Sequence, residues 1–259
     1  MAGLRIISPT GEAVQMRLWI WRWQRKLKRA SFWSRVFKVT VLISLIFLFV
    51  TFLPVLIYKV IDPPTTPLMW IRWAESGYEK RYPRTVKKWR KLDRISKPFL
   101  RAVIASEDQK FYRHNGFDWD AVNNAIRVNL STDRKIGAST ISMQTARNVF
   151  LWQKRNWLRK SLEIYFTVLI EMTWSKQRIL EVYMNVIEWG DGVFGCEAAA
   201  QKYFKHSAGR VQPAEGAWMA AILPNPRAWP TPAYRSHVGQ RQTRILNAMT
   251  SVRLYAVSP

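Results

Sequence analysis

AVIASEDQKFYRHNGFD, residues 102–118, is the stretch on which the reading of this chain turns. An apolar run ends in two adjacent carboxylates, Glu107 and Asp108, and Phe111, Tyr112, His114 and Gly116 follow closely. Carboxylates set among apolar and aromatic groups are costly to desolvate unless they are paired. General acid–base chemistry uses such an environment. A salt bridge from Glu107 to Lys110 or Arg113 is the plain structural alternative. Asp108 reads as a partner for a nearby backbone N–H or a basic group. His114 precedes Asn115-Gly116, a turn signature, and reads as a brace for that turn. No second His stands at metal-ligand spacing, and His206 and His237 lack a motif around them.

Outward from this stretch the pattern is mostly helical. Asp118 can cap a helix through WDAVNNAIRVNL. STDRKIGAS, residues 131–139, is polar, holds Gly137 and reads as a loop. Ser139 is a candidate N-cap for TISMQTARNVFL. From Asn156 to Met172, Trp157, Leu158, Leu162, Tyr165, Phe166, Leu169 and Ile170 recur near helical spacing, which predicts a buried helix. Ser175 can cap the next helix, Pro213 opens AEGAWMAAIL, and a final helix is expected over Gly239 to Val252. Strand signals are weak throughout, so the expected fold class is mainly α.

The net charge of +24, from 41 Lys+Arg against 17 Asp+Glu, calls for an anionic partner: nucleic acid, membrane headgroups or a phosphorylated substrate. Fourteen Trp suit a membrane interface. The single Cys196 excludes an internal disulfide and argues against a cysteine-built zinc site. VTVLISLIFLFVTFLPVLIY, Val39 to Tyr58, carries no charge and is long enough to cross a hydrocarbon core of roughly 30 Å. Pro54 near its end does not exclude spanning. Arg22, Arg25, Lys26, Lys28, Arg29, Arg35 and Lys38 lie upstream, whereas only Lys59 and Arg72 are basic downstream as far as Glu75. The positive-inside rule then puts the N-terminus in the cytoplasm and the bulk of the chain outside. A cleaved signal is the competing reading, but the run exceeds the usual h-region of about 7–15 residues. The expected organisation is a basic tail over 1–38, a span over 39–58, a proline-rich connector over 59–98 and a catalytic domain over 99–259. Trp19, Trp21, Trp23, Trp70 and Trp73 are candidate interface anchors.

A second carboxylate, Glu163, sits in RNWLRKSLEIYF with Arg159 at i−4 and Lys160 at i−3 on its helix face. On a buried helix it would orient those cations toward a phosphate; on a surface it would be an ordinary ion-pair ladder. Arg147, Arg155, Arg159 and Lys160 gather near the polar GASTISMQ segment, and hydroxyls, amides and guanidinium groups together make an anion site. There is no GxxxxGK[ST] loop, so P-loop nucleotide chemistry is unsupported. No SxxK occurs, so a penicillin-binding acyl-transfer module is absent.

These motifs resemble, in order, those of the peptidoglycan glycosyltransferases, glycosyltransferase family 51. EDQKFYRHNGFD is similar to the first motif, GASTISMQTARN to the second, and RKSLE followed by KQRILEVYMN to the third. GDGVFGCEAAAQKYF and EGAWMAAILPNP resemble the later ones, and the resemblance runs from about Trp70 to Pro232. It implies a lysozyme-like, mainly helical domain with a membrane-facing jaw lobe, polymerising lipid II into β-1,4 glycan with release of undecaprenyl pyrophosphate. With one anchor and no transpeptidase module, the chain looks monofunctional.

The resemblance places the family's catalytic Glu on Glu107 and its second on Glu163. Its pyrophosphate contacts fall on Arg147, Arg155, Arg159 and Lys160, and its hydroxyl and amide positions on Ser139, Thr140 and Gln144. Asp108 is grouped with these substrate-side positions as well as with the brace, while His114 and Asp118 are expected as structural support. A divalent cation, Mg or Mn, is a candidate companion of the pyrophosphate, and no protein-held metal is expected. Lipid II, the growing lipid-linked glycan and membrane lipids are the implied partners, with cell wall synthases or division proteins as further candidates and nucleic acid disfavoured by the outward topology. Met143 stands where the family often has a first Gln, Arg147 where Lys is common, and Lys205 where Gly is usual, which predicts a different local turn. A membrane-bound lytic glycosidase remains the competing enzyme class: it too would use a Glu in a lysozyme-like helix, but has no need of the basic cluster.

Overall fold

The computed structural model describes residues 11–75, 88–133, 136–154 and 156–255. The chain divides into two units, Met1–Pro54 and Val55–Pro259. The first is the N-terminal part of helix α1 (Gly11–Val60). Its helix begins well before the apolar run expected from sequence. Trp19 stacks on Trp23 with ring centroids 6.3 Å apart, and Arg25 lies 3.8 Å over the Trp21 ring. Among the described residues, Phe32–Val60 is long and apolar enough to cross a membrane.

The second unit is mainly helical, as the sequence predicts. After the end of α1 come α2 (Pro67–Glu75), a short 3-10 turn at Leu92–Arg94, α3 (Lys97–Glu107), α4 (Trp119–Ser131), α5 (Ile141–Phe150), α6 (Trp157–Thr173) and α7 (Lys176–Val186). A two-stranded antiparallel hairpin, β1 (Glu188–Gly190) with β2 (Val193–Phe194), precedes α8 (Cys196–Phe204), α9 (Pro213–Ile222) and α10 (Arg235–Met249). Sequence alone gave this hairpin no strand signal, because each strand is too short for an alternating pattern.

Two helical groups build the core. In one, α3 packs on α9 and α10; in the other, α5 packs on α6 and α7. Ser96 caps α3 by accepting from the Phe99 N–H at 3.2 Å, and Pro98 fits the first turn, where no intrahelical donor is needed. Phe99, Ala102, Val103 and Ile104 bury the face of α3. Phe99 meets the fully buried Trp189 with ring centroids 5.1 Å apart. At Gly216 of α9 a Cβ would stand 3.0 Å from the Phe99 Cα, so the close crossing of α3 and α9 needs glycine there. Arg178 fastens the end of α1, its guanidinium donating to the carbonyls of Tyr58 at 3.0 Å and Ile61 at 2.8 Å and to Asp62 at 2.7 Å. A cation among the last carbonyls of a helix satisfies groups that have no intrahelical partner.

Several boundaries differ from expectation. The cap of α5 is Thr140, which accepts from the Met143 N–H at 3.2 Å, rather than Ser139. Either hydroxyl could cap; the Thr140 hydroxyl is also tied to the Gly116 carbonyl at 2.6 Å, and that tertiary bond decides between them. Helix α10 begins at Arg235 rather than Gly239, following directly on the 3-10 turn Pro232–Tyr234. Lys205 takes the left-handed conformation, φ +63°, at the end of α8. That is the backbone glycine favours, so the turn is of the glycine type carried by a lysine, not the different turn expected. Asp118, Asn156 and Ser175 cap α4, α6 and α7, with side-chain oxygens accepting from Ala121, Arg159 and Arg178 N–H groups.

Candidate active site

Helix α3 ends at Glu107, and α5, α6, α7 and α2 converge on it around a cavity of about 380 Å³. Glu107 Oε2 accepts from the Gln144 amide at 2.9 Å, and Oε1 from the Ser106 hydroxyl at 3.1 Å. The Gln144 carbonyl in turn accepts from the Tyr183 hydroxyl at 3.2 Å. Burial first, then the negative charge of Glu107, pushes Tyr183 well above the ordinary tyrosine range, so it stays a neutral donor. The chain Tyr183–Gln144–Glu107 thus fixes the carboxylate from behind. The alternative of a salt bridge to Lys110 does not hold: Lys110 pairs with Asp120 at 2.6 Å.

Asp108 does something else. Its side chain is buried, accepting from the Ile141 N–H at 3.0 Å and meeting His114 Nε2 at 2.9 Å. It therefore ties the first motif to the start of α5 and is not among the residues that line the cavity. The partner of His114 is Asp108 rather than the Asn115-Gly116 turn. Gly116 has φ +91°, and a Cβ there would stand 2.9 Å from Thr167 Cγ2 on α6, so both backbone and space require glycine. Thr140 is likewise engaged in capping and with Gly116, and its side chain is buried; Ser139 lines the cavity.

Arg147 and Arg159 also line the cavity. Burial pulls Arg147 below its ordinary range, while Glu163, Tyr183 and Glu107 pull the other way. The Nε atoms of Arg147 and Arg159 are buried with no hydrogen-bond partner among the described residues. Such guanidinium donors suit an oxyanion. Glu163 stands behind them, 1 % exposed, with Arg159 Nη1 at 2.5 Å and Lys160 Nζ at 2.6 Å. It is not among the residues that line the cavity, and its carboxylate is taken up by Arg159 and Lys160. Lys160 also lies off the wall, and Arg155 falls outside the described residues. Met143 is buried in the core, leaving the amide function of this helix to Gln144.

Sequence reasoning missed Tyr183, Asn148, Gln153, Arg72 and Glu188, all on the cavity wall. Tyr183 stood in a quoted motif without a role; Arg72 and Glu188 meet across 116 positions, and no local pattern signals such a pair. Among the described residues no group of three or more His, Cys, Asp or Glu side chains is placed to hold a metal ion.

A family profile described as Transglycosylase matches residues 77–250. The chain is 50% identical over 193 residues to a biosynthetic peptidoglycan transglycosylase of Bdellovibrio bacteriovorus, covering 74% of this chain and 77% of that one. It is 47% identical over 196 residues to the protein of that name from Rhodospirillum centenum, covering 76% and 83%. It is 48% identical over 200 residues to that from Caulobacter vibrioides, covering 77% and 84%. The helical domain is accordingly lysozyme-like, as the motifs implied, and the chain belongs to the transglycosylase family.

Proposed function

We propose that this chain is a peptidoglycan glycosyltransferase that joins lipid II units into β-1,4 glycan strands for the cell wall. The observation that carries the reading is one cavity in which Glu107, fixed by Gln144, shares the wall with Arg147 and Arg159. The donor carries a pyrophosphate on its anomeric carbon. Pyrophosphate is a good leaving group and asks chiefly for prepositioned positive charge. Arg147 and Arg159 supply it as the C–O bond breaks, with Arg155 and Lys160 as further contributors. The 4-hydroxyl of the incoming lipid II attacks that carbon, and Glu107 accepts its proton. Attack on the face opposite the leaving group turns an α-linked donor into a β linkage. Glu163 keeps Arg159 and Lys160 in place, which is a positioning role. A Mg or Mn ion accompanying the pyrophosphate would neutralise part of its charge; among the described residues Glu107 is the cavity carboxylate not engaged by an arginine.

Lipid-linked substrates explain the anchor. Phe32–Val60 would hold the enzyme in the membrane with its N-terminus cytoplasmic, by the excess of Arg and Lys before the span. Trp70 on α2, Trp119, Ile126 and Leu130 on α4, and Trp157, Ile164, Val168 and Met172 on α6 are exposed apolar groups that a lipid surface would cover. The test is incubation with lipid II alone and, separately, with preformed glycan. Polymer from lipid II supports the reading; shortening of preformed glycan without polymer would make the chain a lytic glycosidase.

A further inference from the structure

Arg72 lines the same cavity as Glu107, yet it comes from α2, which precedes the residues matched by the family profile. Its Nε bonds Glu188 at 3.0 Å, its Nη2 bonds Glu188 at 2.9 Å, and its Nη1 bonds Glu75 at 2.7 Å. Burial pulls Arg72 down and these bonds outweigh it, so the guanidinium ends above its ordinary range. Glu188 is buried, lines the cavity too, and accepts from the Gly192 N–H at 3.1 Å. Nearby, Arg227 bonds Asp191 at 2.8 Å and stands 3.9 Å from Glu75.

The surroundings of the cavity's arginines therefore differ. Arg147 and Arg159 face the cavity with one shared carboxylate behind them. Arg72 and the nearby Arg227 stand among three carboxylates, Glu188, Glu75 and Asp191, so the surroundings of Arg72 have no positive excess to offer a phosphate. They do offer neutral polar groups a good fit. Three of the five N–H groups of Arg72 are used by Glu188 and Glu75, which leaves two to donate. The Glu188 oxygens can accept further bonds, and Leu223, Pro224 and Pro226 add apolar surface beside them. Apolar wall with a few fixed polar groups is the usual make-up of a small-molecule subsite.

We propose that Arg72, fixed in place by Glu188, hydrogen-bonds the neutral sugar units of the substrate, so that α2 supplies glycan-binding groups in the cavity that also holds Arg147 and Arg159. The inference deepens the lipid II polymerase reading and rests on it. Arg72 contacts substrate; Glu188 is its positioning residue.

The test uses the full chain in detergent with lipid II, comparing wild type with Arg72→Ala and Arg72→Lys. For Arg72→Ala the KM for lipid II rises about tenfold while kcat stays within about twofold, the pattern for loss of one charge-assisted bond made equally before and during reaction. Arg72→Lys falls between, because an ammonium keeps the charge but not the planar fork. Two inhibitors separate sugar from phosphate. The neutral β-1,4 tetramer of N-acetylglucosamine loses about tenfold in potency on Arg72→Ala, whereas inorganic pyrophosphate inhibits wild type and variant alike. An unchanged KM, or loss of pyrophosphate inhibition instead of tetramer inhibition, overturns the inference. If Arg72→Ala does not fold, Arg72→Lys carries the same comparison. Absence of polymer from wild type overturns the polymerase reading and this inference with it, whereas an active wild type with an unchanged KM in the variant overturns this inference alone.

Discussion

Glu163→Gln separates holding a charge from taking a proton. Glu163 and Arg159 are both buried, their pair is 2.5 Å long, and Lys160 adds a second contact at 2.6 Å from a more exposed position. Removing one partner of a buried pair costs about 3–5 kcal/mol, chiefly because the other charge is left uncompensated. The amide keeps one acceptor oxygen for Arg159, so the low end, about 3 kcal/mol, is expected. The half-exposed Lys160 contact adds less than about 1 kcal/mol. For a unit of roughly 200 residues each kcal/mol moves Tm by about 2–4 °C, which puts the loss at about 6–12 °C in a fluorimetric melt. Polymerisation falls too, because Arg159 loses its fixed place on the cavity wall. The double variant Glu163→Leu/Arg159→Met removes both charges and should regain much of the Tm, since an apolar replacement of a buried pair is often neutral. It should not regain activity, having lost a pyrophosphate cation. A Tm within about 2 °C of wild type for the single variant, or activity restored in the double variant, would refute this reasoning.

Other outcomes follow from the scaffold. Burial pushes the Glu197 carboxyl up, but its bonds to Arg90 and to the Ala208 N–H outweigh that and pull it down to about 2. A depressed carboxyl stabilises the fold above its unfolded pKa of about 4.3 and loses that contribution as pH falls through about 2. Denaturant titrations between those values should therefore show acid destabilisation in wild type that Glu197→Gln flattens; equal slopes would contradict it. Lys205→Gly removes a side chain from a left-handed position, and a gain of about 1 kcal/mol in equilibrium unfolding is expected, against a loss if the lysine contributes by packing.

The sequence was most legible where one residue acts through its neighbours. Asp118 and Ser175 each announce a helix start, and each caps it. Glu107 at the end of an apolar helix is equally local: the run that buries α3 delivers its last carboxylate to the cavity. Roles set by distant partners were not legible. Adjacent hydroxyls at Ser139 and Thr140 look alike until Gly116 selects Thr140. Asp108 looks as available as Glu107 until Ile141, 33 positions on, claims its oxygen. Arg72 and Glu188 belong to no common motif, and only the folded chain brings them to one wall.

The most direct test of the account is lipid II polymerisation by Glu107→Gln beside wild type. The amide matches the carboxylate in size and can still accept from Gln144, so the melt should shift by no more than about 2 °C and lipid II should still bind. It cannot accept the proton of the attacking sugar hydroxyl, and a rate at least about a hundredfold lower is predicted. Glycan synthesis near the wild-type rate by a folded Glu107→Gln enzyme would contradict the assignment of Glu107 as the base.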